Sequence, residues 1–410
     1  MASEHFDHII IGGGIVGCSI AYHLAGATDG RVLVLERNEL ASAASSRAAG
    51  LVLQVTGKTA NITLVKATRE AISELQTNLA DSIGLHPVGS LRIAVEPARQ
   101  QEVRALAETA ATYDIPCQML SPAEARSHAP WLHVPEDSTV AYMPTDGYID
   151  PYLLSMAYAQ AARQRGATFR PRTGVEGLVI DNDRVVGVEV PDGRVLGDTI
   201  IDAAGVWAML VAEKAGYALP MAPVRSHYWI CDPDPRWNKD HPVTVMADAG
   251  AYTRPEAGGL VLGVQEPTSK TFDVRSLPGD TNTFSPTTGE EHWDILARGA
   301  EAVEPFFPAV MEAQFSNYVA GLSAYTPDGL MLLGPVPRVS GFLVAAGCCG
   351  SGIALSAGIG IAVADLSLGN VSTFDISPFD PGRFGVVDPF SPDFRERCAA
   401  ARAAKARKAD

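Results

Sequence analysis

The chain has 410 residues, 47% hydrophobic and 19% charged, which is enough apolar material for a large core and excludes a disordered or fibrous polymer. Lys and Arg total 32 against 47 Asp and Glu, and the formal charge of -15 repels phosphate backbones and anionic lipid, so neither nucleic acid nor a membrane surface is expected as a partner. Six Cys with no CxxC pair read as reduced thiols, and with no zinc-type ligand spacing no metal is expected.

Glu4 and Asp7 stand before the first apolar run, where a secretory signal needs positive charge, which points to a cytoplasmic protein. Residues 6–11 form a β-branched apolar strand signal, followed at once by Gly12, Gly13, Gly14, Ile15, Val16 and Gly17 and then by the helix-compatible residues 18–24. A second apolar run, 31–35, ends at Glu36, about 20 residues past the glycines, where a dinucleotide fold places the acid that holds a ribose. Gly12 suits the tight turn, Gly14 the close approach of a pyrophosphate and Gly17 the packing of helix on strand, with the helix N-terminus favouring anionic charge. This fingerprint alone does not distinguish FAD from NAD.

Further along, 185–190 and a turn at Asp192 and Gly193 read as a hairpin into an apolar strand ending in Ala203, Ala204, Gly205, Val206 and Trp207. Segment 266–290 is rich in Thr, Ser, Pro and Gly and is expected to be a long mobile loop covering a pocket. Residues 342–368 contain one charged residue, Asp365, and approach the length of a membrane span. Gly347, Gly350, Gly352, Gly358 and Gly360 divide the stretch into a short strand, a glycine loop and a buried helix whose N-terminus favours negative charge on a reduced flavin ring. The tail from Arg395 carries six basic residues against two acids and reads as a solvated helix or frayed end.

Several short motifs, taken in order and spacing, resemble the FAD-dependent amine and amino-acid oxidoreductases of the D-amino-acid oxidase superfamily, most of all the flavin domain of dimethylglycine and sarcosine dehydrogenases. They are Ala48 to Leu51 after a serine pair, Gly89 to Leu91, Asp146 to Pro151, Pro223 and Val224, Tyr252 to Pro255, Gly258 to Gly263, Glu266 and Pro267, Thr326 to Gly329, the loop from Gly347 to Gly352, and Phe379 to Phe384. The resemblance implies an α/β fold: a discontinuous Rossmann-like FAD-binding domain of the glutathione-reductase type at 1–85, 145–220 and 325–390. An interleaved α+β substrate domain on an antiparallel sheet takes 86–144 and 221–324, leaving a basic tail at 391–410.

With the fingerprint, the resemblance sets the expected FAD contacts. In the first part of the chain these are Gly12, Gly14, Ile15, Val16, Gly17, Glu36, Arg37, Ser45, Ser46, Arg47, Gly50 and Leu51. Later ones are Val175, Ala204, Gly205, Trp207, Gly329, Gly347, Gly350, Ser351, Gly352 and Ile353. Where the resembling dehydrogenases attach flavin through a histidine this chain has Arg47, and where sarcosine oxidases use a cysteine it has Gly321, so non-covalent FAD is expected. Those dehydrogenases also continue into a folate-binding domain, and no folate acceptor is expected here because the chain closes soon after Phe384.

The implied activity is hydride transfer to flavin from the carbon beside a secondary or tertiary amine nitrogen, N-methylated or N-alkylated, with hydrolysis of the resulting imine. Two known carboxylate clamps are replaced, by Ser323 and Ala354, leaving Arg47, Lys58, Arg225 and Arg254 as substitutes. The strand carrying Arg225 matches one that brings histidine and tyrosine into the substrate pocket. Tyr228 falls in place, and His227 is displaced by one residue, which turns a strand side chain to the other face. Glu266 corresponds to an acid facing the amine, and Tyr252 is the further pocket hydroxyl. Val261 replaces an oxygen-activating lysine, so the acceptor is O2 or an electron carrier, with the balance toward a dehydrogenase. Other readings are a monomer or homo-oligomer against the flavin subunit of a heteromeric opine- or proline-type dehydrogenase, and a flavin-binding module without turnover.

Overall fold

The computed structural model describes residues 4–280 and 284–404. Strand Glu4–Ile11 lies at the centre of the first sheet, parallel to Gly193–Asp202 on one side and to Val32–Leu35 on the other, so that Ile10 stands beside both Ile201 and Val34. The sheet runs Gly177–Asp181, Arg184–Val190, Gly193–Asp202, Glu4–Ile11, Val32–Leu35, Thr168–Arg170, and Phe342–Ala346 joins it alongside Gly193–Asp202. Because strand side chains alternate, the two faces of this sheet feed two separate cores. Ile10, Val32, Val34 and Ile201 pack under helices Ile15–Ala27, Ile62–Asn78, Pro151–Gln164 and Gly352–Ser367, whereas Ile9, Ile11, Leu33 and Leu35 pack on the opposite side with helix Ala208–Lys214.

The long apolar stretch near the end resolves into strand Phe342–Ala346, a glycine turn and helix Gly352–Ser367. Its glycines divide by task. Gly347 and Gly350 adopt φ of 65° and 78°, which a turn of this shape needs, while Gly358 and Gly360 sit inside the helix. A Cβ on Gly358 would lie 2.4 Å from Cα of Leu64, and one on Gly360 2.9 Å from the carbonyl oxygen of Ser19, so the two glycines let this helix approach both neighbours. Among the described residues no helix is long and apolar enough to cross a membrane.

The second sheet has the order Phe315–Tyr325, Ala222–Cys231, Gly259–Val264, Ala251–Glu256, Val243–Met246, Ser90–Ala94, Thr139–Met143, Gln118–Leu120. Its pairings are antiparallel apart from Val243–Met246 beside Ser90–Ala94. Trp229 pairs with Leu262, and both pack with Ile295 and Leu296 of helix Glu291–Val303, so that helix covers one face. Parity then assigns Tyr228 to the other face, together with Tyr252 and its opposite number Gly263.

The basic tail differs from the expected solvated or frayed end. Ser391 caps helix Pro392–Ala403, accepting from the Phe394 amide at 3.3 Å, and Phe394 and Cys398 pack with Ala222, Val224, Tyr325 and Cys349. Positions 394, 398 and 402 share one helix face, and that face docks, so Arg402 is carried inward to 3% exposure. Residues 405–410 of the tail lie outside the described residues.

Gly358→Val should separate helices Gly352–Ser367 and Ile62–Asn78 and cost about 1–3 kcal/mol by overpacking. The check is a lowered thermal midpoint of the FAD-loaded protein with unchanged far-ultraviolet circular dichroism.

Candidate active site

At the carboxyl end of the first strand the chain turns at Gly12, with φ of 108°, and a Cβ there would meet the Ala203 carbonyl oxygen at 2.5 Å. Gly12, Gly14, Ile15 and Val16 line a deep cavity, with the N-terminus of helix Ile15–Ala27 at its wall. The Ser45 hydroxyl accepts a hydrogen bond from the Ile15 amide at 2.9 Å and so braces that helix end. Glu36 stands at the end of the second strand, where its carboxylate accepts from the amides of Gly13 and Asn38, each at 2.8 Å. Glu36 and Ser45 both line the cavity, as does Arg37, whose guanidinium lies 3.9 Å over the Trp207 ring. Val175, Ala204, Gly205 and Trp207 form a further wall, and Arg47, Gly347, Gly350, Gly352 and Ile353 another.

The remaining residues expected at the cofactor are placed behind that surface. Gly17 packs so closely that its Cβ would fall 1.9 Å from the Gly12 carbonyl oxygen, and Gly50 likewise meets Ile149 at 2.0 Å. Ser46 donates to the Ala43 carbonyl at 3.1 Å, and Leu51 pairs with Tyr148. Gly329 lies against Lys58, and the Ser351 amide donates to Cys348 in the glycine turn at 2.9 Å.

Sequence reasoning missed residues 41–44, Phe284, Pro286 and the strand stretch 320–324, all of which line the cavity. Phe284 and Pro286 belong to the segment expected to cover a substrate pocket. The Asn38 amide group donates to the Gly279 carbonyl at 3.0 Å and Phe272 stacks edge-on with Phe284, so this segment is laid along the cofactor cavity instead. Residues 281–283 within it lie outside the described residues. Asp202 was missed as well. It is fully buried at the end of strand Gly193–Asp202, one oxygen accepts from the Ala204 amide at 3.1 Å, and burial pushes its carboxyl well above the usual range.

None of the four catalytic candidates lines the cavity among the described residues, and they divide between the two faces of the second sheet. Tyr228 and Tyr252 share the face away from helix Glu291–Val303, where the Tyr252 ring lies over Gly263, whose Cβ would meet it at 2.1 Å. Neither tyrosine hydroxyl is tied to a protein partner among the described residues. Burial raises the pKa of both phenols, so they are neutral hydroxyls at physiological pH.

His227 points to the other face. Its Nδ1 lies 3.0 Å from the Tyr318 hydroxyl, its Nε2 is 3.6 Å from Glu266, and burial, helped by the charges of Arg402 and Arg225, drives the imidazole down to about 3. Glu266 departs from the expected role of facing an amine. It is 5% exposed, and Arg225 takes both of its oxygens, at 2.5 and 3.3 Å, because a buried carboxylate needs an internal counter-charge.

The four cations considered as carboxylate clamps are engaged too. Arg47 donates to the carbonyls of Ser42 and Ala43 at 2.8 and 3.1 Å, Lys58 to that of Asp328 at 2.6 Å, and Arg225 also holds Glu291 at 2.6 Å. Arg254 donates to the Ala49 carbonyl at 2.6 Å and pairs with Glu256.

A glycine turn that admits no side chain, a helix N-terminus, an acid at the second strand and a second helix N-terminus beside the first together fit a dinucleotide that carries a flavin ring. The class defined by this fold and cavity is a FAD-binding oxidoreductase. The family model described as DAO, FAD dependent oxidoreductase, matches residues 7–366, and the chain belongs to that family, with FAD as its cofactor. It is 32% identical to human mitochondrial dimethylglycine dehydrogenase over 392 residues, 93% of this chain and 45% of that protein. It is 31% identical to the formaldehyde-forming 4-methylaminobutanoate oxidase of Paenarthrobacter nicotinovorans over 382 residues, 93% of this chain and 46% of that one. The chain therefore spans less than half the length of these two curated relatives. The crystal structure of L-proline dehydrogenase from P. horikoshii superposes with a TM-score of 0.82 at 25% identity, covering 93% of this chain and 98% of the other.

Glu266→Ala should leave Arg225 with Glu291 as its remaining carboxylate partner and cost about 1–3 kcal/mol of stability, read as a lowered denaturant midpoint. For His227 the folded pKa of about 3 lies below the ordinary 6.5, so between these values the unfolded chain binds a proton that the folded one refuses. Stability should fall as pH drops through that window, by up to about 1.4 kcal/mol per pH unit, and His227→Gln should flatten this part of the profile in acid-titrated unfolding curves.

Proposed function

We propose that this protein oxidises the C–N bond of a secondary or tertiary amine bearing an N-methyl or N-alkyl group, with FAD held non-covalently. The observation that carries this reading is the pair of uncommitted, neutral hydroxyls of Tyr228 and Tyr252 on one sheet face, while Glu266 and the nearby arginines are satisfied within the protein. A site furnished with hydroxyls and lacking a free carboxylate favours the neutral amine over the ammonium. The nitrogen lone pair is then available to expel hydride from the neighbouring carbon. Bound FAD supplies the acceptor for that hydride. Tyr228 and Tyr252 hold the nitrogen end of the substrate by hydrogen bonds, and the iminium that forms takes up water and separates into an aldehyde and the shortened amine. The names of the two curated relatives, one a dimethylglycine dehydrogenase and the other a methylaminobutanoate oxidase that forms formaldehyde, support an N-methyl substrate.

Two features support non-covalent FAD. The Arg47 side chain occupies the cavity wall with its guanidinium turned to the carbonyls of Ser42 and Ala43, and it lies against Gly321, so neither position offers a nucleophile to the flavin. Acid precipitation should leave the flavin in the supernatant, and colour retained in the pellet would contradict this.

Anaerobic mixing with a panel of N-methyl amines, betaines and N-alkyl amino acids should bleach the flavin absorbance for at least one tertiary or secondary amine and leave primary amines inert. Tyr228→Phe should slow that reduction about 10²-fold. A panel without any bleaching would sink the amine reading, and an unchanged rate in the phenylalanine variant would remove Tyr228 from it.

A further inference from the structure

We propose that Arg402, Ser226 and Ser323 form a one-way chain of hydrogen-bond donors that ends at the cofactor cavity and raises the reduction potential of the bound flavin. A guanidinium carries donors and no acceptor, so in its contact with Ser226, at 3.4 Å from Nε to Oγ, the serine oxygen must accept. Ser226 then directs its own proton to the hydroxyl oxygen of Ser323 at 3.1 Å. Ser323, having accepted, has its proton left to give, and it lines the cavity that takes FAD. The order of donors is therefore set at the arginine end, and each bond polarises the next in a partly buried setting.

The charge balance behind this wall is positive. Glu266 lies 3.9 Å from Arg402, but both its oxygens are taken by Arg225, and Glu291 is shared between Arg225 and Lys270. Three cations thus face two carboxylates, and Arg402, at 3% exposure, is poorly screened by water. Its field reaches its neighbours, since it is one of the charges that keep the His227 imidazole unprotonated. Arg402 is also fixed in place: Nη1 donates to Ser269 at 3.1 Å, and its helix is docked through Phe394 and Cys398. A fixed donor chain backed by a buried cation stabilises electron density added on the cavity side without reorganising.

This inference requires FAD in the cavity and does not depend on which amine is oxidised, so the test uses substrate-free holoenzyme. FAD stoichiometry is read first from the visible absorbance, and the midpoint potential is then measured by equilibration with a reference dye. Ser226→Ala, which cuts the chain and leaves the arginine, should retain full FAD and make reduction about tenfold less favourable, a shift of about 30 mV to more negative potential for a two-electron couple. Ser226→Thr should restore the wild-type value. Arg402→Met should shift in the same direction as Ser226→Ala. Where Arg402→Met does not fold, Ser323→Ala at the cavity wall must show the shift. Wild-type potentials in FAD-replete Ser226→Ala and Ser323→Ala overturn the proposal, and so does a change confined to the KM for an amine, which would place Ser323 on the substrate.

Discussion

The carbonyl oxygen of Gly12 lies where a side chain on Gly17 would have to begin, and this one close contact sets the position of everything around the cofactor cavity. It draws the first helix down onto the first strand, so that the helix N-terminus opens at the strand's carboxyl end. The same turn leaves no room between Gly12 and Ala203, which brings strand Gly193–Asp202 and its small terminal residues to the same edge. Strand Phe342–Ala346 follows through its pairing with Gly193–Asp202, and it delivers the second glycine turn to the same cavity. A methyl group at either Gly12 or Gly17 would displace all of these together.

The second sheet is held by a different kind of constraint. Its helix-covered face contains apolar packing around Trp229 and Leu262 and, at one end, the cluster of Arg225, Glu266 and Glu291. On the opposite face Tyr228 and Tyr252 stand with Arg254, which is itself satisfied by Glu256 and the Ala49 carbonyl.

The strand, glycine turn and helix at the start were legible because the motif is local: the strand, the glycines and Glu36 follow one another without interruption. The small residues after Asp202 and the turn from Gly347 to Gly352 were legible for the same reason, since compact backbone leaves a compositional mark. Residues 320–324 carry no such mark, and only pairing of strand Phe315–Tyr325 with Ala222–Cys231 brings them to the cavity. Strand alternation put His227 and Tyr228 on opposite faces, but which face is covered depends on where helix Glu291–Val303 packs. Glu266 looked available because its partner is 41 positions away in the sequence. The carboxy-terminal helix was obscured by its alanines and basic residues, although Phe394, Cys398 and Arg402 recur at helical spacing.

The cavity joins walls from residues 12–16, from 203–207 and from 345–353, and Arg402 stands behind it. During synthesis the glycine cradle near the amino terminus emerges long before the turn that closes it. Until strand Phe342–Ala346 fills the edge of Gly193–Asp202, the flavin would meet only half a site. Coenzyme loading is thereby tied to arrival of the turn from Gly347 to Gly352, more than 300 residues after the first glycines.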